Sequence, residues 1–418
     1  MHPPDEAAHA APIADLHCHY PMHLLARDPE VQEHLPDREG GTSPSTLTLE
    51  HVVRVREQPG VLAKIRAFLL LIVAKLFNHE SFESGWRVDL SRLAAGGVRI
   101  VFSVLYLPWT EIDDPDRDGD YDELLTRLDE VEAELAHEPQ ETRPIVVKRE
   151  ADLDRALSET RIALVHCIEG GMHLGADEAL IDSRMEELAQ RGVTYITLAH
   201  LFYRGVATNA PALPMLSDRA YNTIFCQPKN GGLSAIGKAA VRAMYKHGVL
   251  VDVSHMREDA LAETFALLKA LDEDNGADPK EYPVIATHAG YRFSDQAYML
   301  TDDTIREIAA RDGVIGLIMA EHQLYDGVDL GDATGFDATL EVVRNHIEAI
   351  HDVAGSYAHV GIGSDLDGFI KPTVDGIENA DDLSKFRAPL ATDFGSNAPA
   401  ILGGNAERVL RAALRARG

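Results

Sequence analysis

Ile13-Ala14-Asp15-Leu16-His17-Cys18-His19, close to the start of the 418-residue chain, is an apolar run that ends in two histidines. On a β-strand, residues i and i+2 share a face, so His17 and His19 point the same way. Neutral imidazole is the commonest protein metal ligand. Two such rings supply half of a metal site when the strand ends in a cleft. Taken alone, the pair also fits two ordinary histidines near a terminus, so the weight falls on what the rest of the chain places at equivalent positions.

Outward from this run, apolar strand-like stretches alternate with helical ones. Strands are read at 13–18, 98–107, 162–168, 193–199, 249–254, 284–287, 314–318 and 359–363, with helices between them at 178–190, 235–247, 257–271, 302–311 and 338–353. Gly96-Gly97, Gly192, Gly248 and Gly313 introduce several strands, where a glycine is expected just past a helix C-terminus. Strands apolar on both faces that alternate with helices indicate a parallel sheet, and eight such units indicate a (β/α)8 TIM barrel. A doubly wound open sheet is the alternative, but no glycine-rich phosphate loop follows the first strand. Residues 113–121 read as an acidic loop and 276–282 as a turn-rich connection.

The whole chain, 1–418, reads as one barrel domain with a helical insertion at about 24–83, after the first strand. Residues 47–77 look helical, broken near Pro59-Gly60. Their longest apolar run, from Phe68 to Ala74, is far shorter than the roughly 20 residues that cross a bilayer. It is expected to pack over the mouth of the fold or against a second subunit, which would make the protein a homodimer.

The composition is that of an ordinary globular enzyme, with 45% hydrophobic and 26% charged residues. A net charge of -29 repels nucleic acid and anionic membranes, and argues against both as partners. The three cysteines, Cys18, Cys167 and Cys226, form no CxxC and no disulfide framework. Together with an N-terminus that lacks an apolar run, they point to a reducing, cytoplasmic location.

In a TIM barrel the active site lies at the C-terminal ends of the strands. Those positions hold His17 and His19, then Glu169 in Ile168-Glu169-Gly170-Gly171, His200, His255 after Asp252-Val253-Ser254, His288, and Asp365 with Asp367 in Gly363-Ser364-Asp365-Leu366-Asp367-Gly368. Each alone is more often structural. In register at one barrel end they are hard to explain as packing. Imidazole and carboxylate donors without thiolate suit zinc or a similar divalent ion. The set exceeds what one catalytic zinc uses, and a Glu bridging two ions accounts for the surplus.

The same text carries a family resemblance. Val88 to Val98, Ile168-Glu169-Gly170-Gly171, Gly192 to His200, Gly231-Gly232-Leu233-Ser234, Gly248 to His255, Pro283 to His288, Leu300-Thr301-Asp302-Asp303, His359 to Gly368 and Leu402-Gly403-Gly404-Asn405 resemble, in order and spacing, the membrane (renal) dipeptidase family of the amidohydrolase superfamily. The resemblance runs from Asp15 nearly to the end, apart from the insertion. It implies a binuclear zinc site in which Glu169 bridges, His17 and His19 complete one shell, and His255 and His288 hold the other ion. It also implies that His200 binds substrate and that Asp365 is the catalytic aspartate.

Two departures stand out. The family's first motif is usually His-x-Asp, and here it is His17-Cys18-His19, one charge less negative. The family's arginine for the substrate carboxylate is replaced by Tyr298, and Arg292, four residues past His288, is the cation that would substitute. The expected activity is hydrolysis of a dipeptide or related small amide by metal-activated hydroxide. The same architecture acting on an N-acyl amino acid or a lactone is the alternative. A non-catalytic metal-binding protein is a third reading, against which an intact Asp365 argues.

Overall fold

The computed structural model describes residues 11–25, 86–107, 111, 117–213, 216–229, 231–368 and 372–417. Nearly all of the 24–83 insertion, with its helical reading, lies outside the described residues. The strands are β1 (Ile13–Cys18), β2 (Val98–Leu105), β3 (Ile145–Val146), β4 (Ala163–Glu169), β5 (Tyr195–Thr197), β6 (Leu250–Asp252), β7 (Ile285–Ala289), β8 (Val314–Leu317) and β9 (Val360–Ile362). Hydrogen bonding runs β1–β2–β4–β5–β6–β7–β8–β9 and back to β1, parallel throughout. Eight staves close into the (β/α)8 barrel that the sequence indicates. β3 was not foreseen. It pairs with Ala163 and Leu164 of β4, below the point where β5 joins that strand at Ile168 and Glu169.

Every residue of β1, β4 and β7 is buried, which is why these strands read as continuous apolar runs. The wall around them is built chiefly from α1 (Leu90–Ala95), α2 (Arg117–Ala136), α3 (Glu150–Ser158), α4 (Ile181–Arg191), α5 (Ala235–His247), α6 (Glu258–Asn275), α7 (Asp302–Ala310), α8 (Phe336–Ala354) and α9 (Asn405–Ala416). α5 shows how the sequence sets such a helix. The Ser234 hydroxyl accepts the Gly237 N–H at 3.1 Å to start it, and Gly248 in the left-handed region (φ 66°) stops it.

Two readings need correction. Residues 117–121, read as part of an acidic loop, form the start of α2. Acidic side chains on its outer face obscure the buried helical stripe of Leu124, Leu128, Val131 and Leu135. At the end of α7 the left-handed residue is Asp312 (φ 55°), not Gly313. Gly313 is needed for close approach instead, because a Cβ there would lie 1.8 Å from the Val284 carbonyl oxygen.

Candidate metal centre

Glu169, the last residue of β4, occupies the middle of the barrel mouth and is buried. Its Oε1 lies 3.4 Å from His17 Nε2, 3.4 Å from His288 Nε2 and 3.7 Å from His255 Nε2. Its Oε2 lies 3.3 Å from His19 Nε2 and 3.2 Å from His200 Nε2. Asp365 Oδ1 approaches His19 Nε2 to 3.2 Å and His17 Nε2 to 3.8 Å. Among the described residues, three sets of donor atoms are compact enough to hold an ion: His17, His19 and Asp365; Glu169, His255 and His288; and His17, Asp252 and His288. The structure thus brings together all seven of the residues read as ligands or catalytic groups.

Local backbone irregularities aim these side chains. In β1, Asp15 pairs with Val101 and Cys18 with Ser103; in β7, Ala286 pairs with Ile315 and Ala289 with Leu317. Each strand gains one residue on its neighbour, a bulge that re-aims side chains at a functional site. His255 (φ 63°), Asp365 (φ 57°) and Asp367 (φ 64°) are left-handed, a conformation rare outside glycine and concentrated at active sites. Gly368 must be glycine, since a Cβ would sit 1.8 Å from Asp365 Oδ1. The Asp367 carboxylate accepts the backbone N–H groups of Arg87 (3.1 Å) and Val88 (2.9 Å), which makes it the tether of that loop.

Beyond the Nε2 atoms lies a layer of orienting bonds. The Thr287 hydroxyl is 2.9 Å from His17 Nδ1, 2.9 Å from His288 Nδ1 and 2.6 Å from Asp252 Oδ2. Asp252 also accepts the Thr197 hydroxyl at 2.6 Å and the Ser254 hydroxyl at 2.8 Å. His200 Nδ1 is 2.6 Å from Glu111 Oε2, and Glu111 also accepts the Tyr106 hydroxyl at 2.6 Å and the Phe202 N–H at 2.8 Å. Glu111, Thr287 and Asp252 were missed in the sequence. Glu111 carried one usable signal, an acidic residue six positions past the end of β2.

The donor set fits metal ions. The Nδ1 atoms of His17 and His288 are taken up by Thr287, and their Nε2 atoms turn inward. Yet His255 and His288 Nε2 stand 2.9 Å apart, His17 and His19 Nε2 3.3 Å apart, and the buried Glu169 Oε1 has no hydrogen-bond partner. Each such pair needs a hydrogen or a cation between its nitrogens, and Glu169 Oε1 adds an open acceptor beside them. The electrostatics agree. Burial alone would raise Glu169, but the His200 and His17 imidazoles hold it well below the usual carboxylate range. Burial opposes a charge on His19, yet its contacts with Asp365 and Glu169 raise it to about 10. Burial foremost pushes His255 and His288 well below the ordinary histidine value, and Asp365 above the ordinary aspartate value. A proton on His19 meets the demand for charge that a bound cation would meet in its place.

Tyr298 and Arg292 are placed differently from the substrate-carboxylate role expected of them. The Tyr298 ring packs edge-on against His255 with centroids 4.9 Å apart, but its hydroxyl donates to the His288 carbonyl at 2.7 Å. Arg292 staples its own loop. Its Nε donates to the Met299 carbonyl at 2.7 Å, Nη2 to the Ala297 carbonyl at 2.9 Å, and Nη1 pairs with Glu258 at 2.7 Å. The structure does not bring its guanidinium into the cluster.

Comparison with known proteins agrees with this geometry. The sequence model of the membrane dipeptidase family, peptidase family M19, matches residues 7–417. Dipeptidase verJ of Clonostachys rogersoniana is 28% identical over 71% of this chain and 67% of its own length. Dipeptidase aclJ of Aspergillus oryzae is 26% identical over 72% of this chain and 62% of its own length. Among solved structures, a metallopeptidase from Rhodobacter sphaeroides, liganded with a phosphinate mimic of L-Ala-D-Ala, is similar over 96% of this chain and 99% of its own, with TM-score 0.64 and 17% identity. The dipeptidase AC, a metallopeptidase of family M19, is similar over 97% of this chain and 99% of its own, with TM-score 0.62 and 17% identity. With nearly every residue covered by that family model, the chain belongs to the membrane dipeptidase family, peptidase family M19, a family of metallopeptidases.

Proposed function

We propose that this protein is a binuclear metal-dependent hydrolase that cleaves dipeptides or related small amides. The observation that carries the reading is the buried Glu169, which lies at the centre of five imidazoles, with Oε1 facing His17, His255 and His288 and Oε2 facing His19 and His200. His17 and His19, with Asp365 beside them, would hold one ion; His255 and His288 would hold the other; Glu169 would lie between. A cluster of imidazoles and carboxylates suits zinc or a similar divalent ion. When bound, such ions supply a water activated near neutral pH and polarise the scissile carbonyl.

The remaining work falls to the chain's own groups. Glu111 holds His200 by Nδ1 and turns its Nε2 toward the centre. A hydrogen bond from that Nε2–H to the substrate's carbonyl oxygen stabilises the charge that grows there. Asp365 takes a proton at its carboxylate from the water that attacks the carbonyl carbon and hands it to the amine nitrogen as the C–N bond breaks. Burial disfavours its charged form, which suits a group that must hold the proton in transit.

The named activities of the relatives, and the L-Ala-D-Ala mimic bound by the Rhodobacter sphaeroides protein, support a dipeptide as the substrate class. A second reading, the same chemistry on a substrate without a free carboxylate such as a lactone, is favoured by the engagement of Arg292 and Tyr298 elsewhere. A cytoplasmic location and a homodimer complete the proposal; the free buried thiols Cys18 and Cys167 support the first. No helix among the described residues is long and apolar enough to cross a membrane. The deciding experiment is a hydrolysis screen of zinc-loaded protein against L-L and L-D dipeptides, N-acyl amino acids and lactones. Turnover of dipeptides is expected. Turnover of lactones alone would transfer the assignment to the second reading, and no turnover of any class would remove both.

A further inference from the structure

Thr287 stands at the β7 bulge, where two consecutive side chains, Thr287 and His288, reach the same centre. Its hydroxyl has one hydrogen to give and two lone pairs. Three partners surround it: Asp252 Oδ2 at 2.6 Å, His17 Nδ1 at 2.9 Å and His288 Nδ1 at 2.9 Å. The shortest contact is to a carboxylate, which can only accept while ionised, so the hydrogen goes to Asp252. The lone pairs then accept from the two imidazoles, and both rings must carry their proton on Nδ1. The Tyr195 hydroxyl agrees with this, since it donates to the Leu16 carbonyl at 2.9 Å and faces His17 Nδ1 at 3.0 Å with only a lone pair.

The position of this hydroxyl is fixed by its surroundings. Asp252 Oδ1 accepts the backbone N–H groups of Ser254 and Thr287, each at 3.0 Å. On either side, Gly316 and Gly363 press against the Thr287 carbonyl; a Cβ would lie 2.0 Å from that oxygen at the first and 1.7 Å at the second. Thr287 is fully buried. His17 lies with His19 and Asp365 in one candidate ion set and His288 with Glu169 and His255 in another, while the remaining set, His17, Asp252 and His288, is the trio that the Thr287 hydroxyl itself joins.

We infer that Thr287, charged with electron density by Asp252, is a positioning residue shared by the two metal subsites: one hydroxyl sets the tautomer of one ligand to each ion. The inference rests on the binuclear reading. Metal-ligating histidines owe their ring orientation and basicity to the partner on the other nitrogen. Here one hydroxyl serves a ring of each set, sharing His17 Nδ1 with Tyr195, so its loss weakens both ions together rather than the one nearer in sequence.

The test uses the full-length protein and Zn²⁺ or Co²⁺ as probes. Thr287→Val keeps the shape and removes the hydroxyl; it is expected to lower the affinity for both ions, each by about 10–100-fold. Thr287→Ser is expected to restore both. Thr339→Val, which removes a buried hydroxyl bonded to Tyr325 and the Asp375 carbonyl rather than to any group of the cluster, is expected to bind both ions as the wild type does. Loss of only one ion in Thr287→Val, wild-type binding of both, or failure of Thr287→Ser to restore them would overturn the inference. Should Thr287→Val not fold, ¹⁵N NMR of histidine-labelled, metal-free wild type reads the tautomers directly: Nδ1–H on His17 and His288 supports the inference, and Nε2–H on either defeats it. Wild-type protein that takes up fewer than two ions would end the binuclear reading, while the tautomer measurement would still decide the role of Thr287.

Discussion

At Asp365 three constraints meet: a left-handed backbone (φ 57°), a carboxylate 3.2 Å from His19 Nε2, and a neighbouring glycine that leaves it no spare room. Strain of this kind persists only where the surroundings enforce it. Asp365→Asn preserves the volume and the hydrogen-bonding oxygen but cannot carry a proton. Turnover is expected to fall by ~10²–10⁴, the range of a general acid–base group, while fold and most of the metal remain. Near-normal turnover in that variant would move the proton transfer to another residue. Arg292 makes the opposite case. With its donors on Ala297, Met299 and Glu258, Arg292→Ala is expected to destabilise the protein by about 1–3 kcal/mol. It should impair charged and neutral substrates alike. A selective loss on free-carboxylate substrates, relative to their esters, would instead restore the role that the sequence suggested for it.

At the scale of elements, α8 shows a buried histidine that works only when neutral. His346 Nε2 donates to the Leu324 carbonyl at 2.8 Å, while Nδ1 accepts the Tyr291 N–H at 3.0 Å. Burial pushes its pKa from 6.5 down to about 4. Between those values the unfolded chain binds a proton that the folded chain refuses, so the folded state loses ground as pH falls from about 6.5 to about 4 and keeps its full stability above that window. His346→Gln is expected to be less stable at neutral pH but to lose less over this interval. Urea midpoints measured for both proteins across it check the point, and parallel acid limbs would refute it. Elements also show where sequence reading runs out. α5 was legible to the residue because Ser234 and Gly248 punctuate it. The two-residue β3 offered no pattern to read. The bulges in β1 and β7 were invisible because strict alternation was assumed. By that rule Thr287 faces away from His288, so the hydroxyl that joins the two went unseen.

For the whole molecule, the barrel was legible because eight buried strands with intervening helices leave a repeated signal. The seven inner groups were legible because a barrel reports function at one end of every strand. The outer layer was not, since Glu111 meets His200 across 89 positions of sequence and Asp252 meets Thr287 across 35. The proposed ions would tie together β1, β4 and β7 and the loops after β6 and β9, strands far apart in sequence. A ligand that binds only the folded state adds stability as RT ln(1 + [L]/Kd), about 2.7 kcal/mol for each site at a hundredfold excess over Kd. Elemental analysis of the purified protein is expected to find close to two divalent ions per chain, and His17→Ala or His288→Ala to lower that number. Stripping the metal with a chelator should lower the Tm by several degrees, and zinc should restore it. The effect should weaken toward acid pH, where protons compete with cations for the imidazoles. Protein that is folded, free of metal and unmoved in Tm by added zinc would leave the cluster as a set of histidines paired with two carboxylates, and the hydrolytic reading would fall with it.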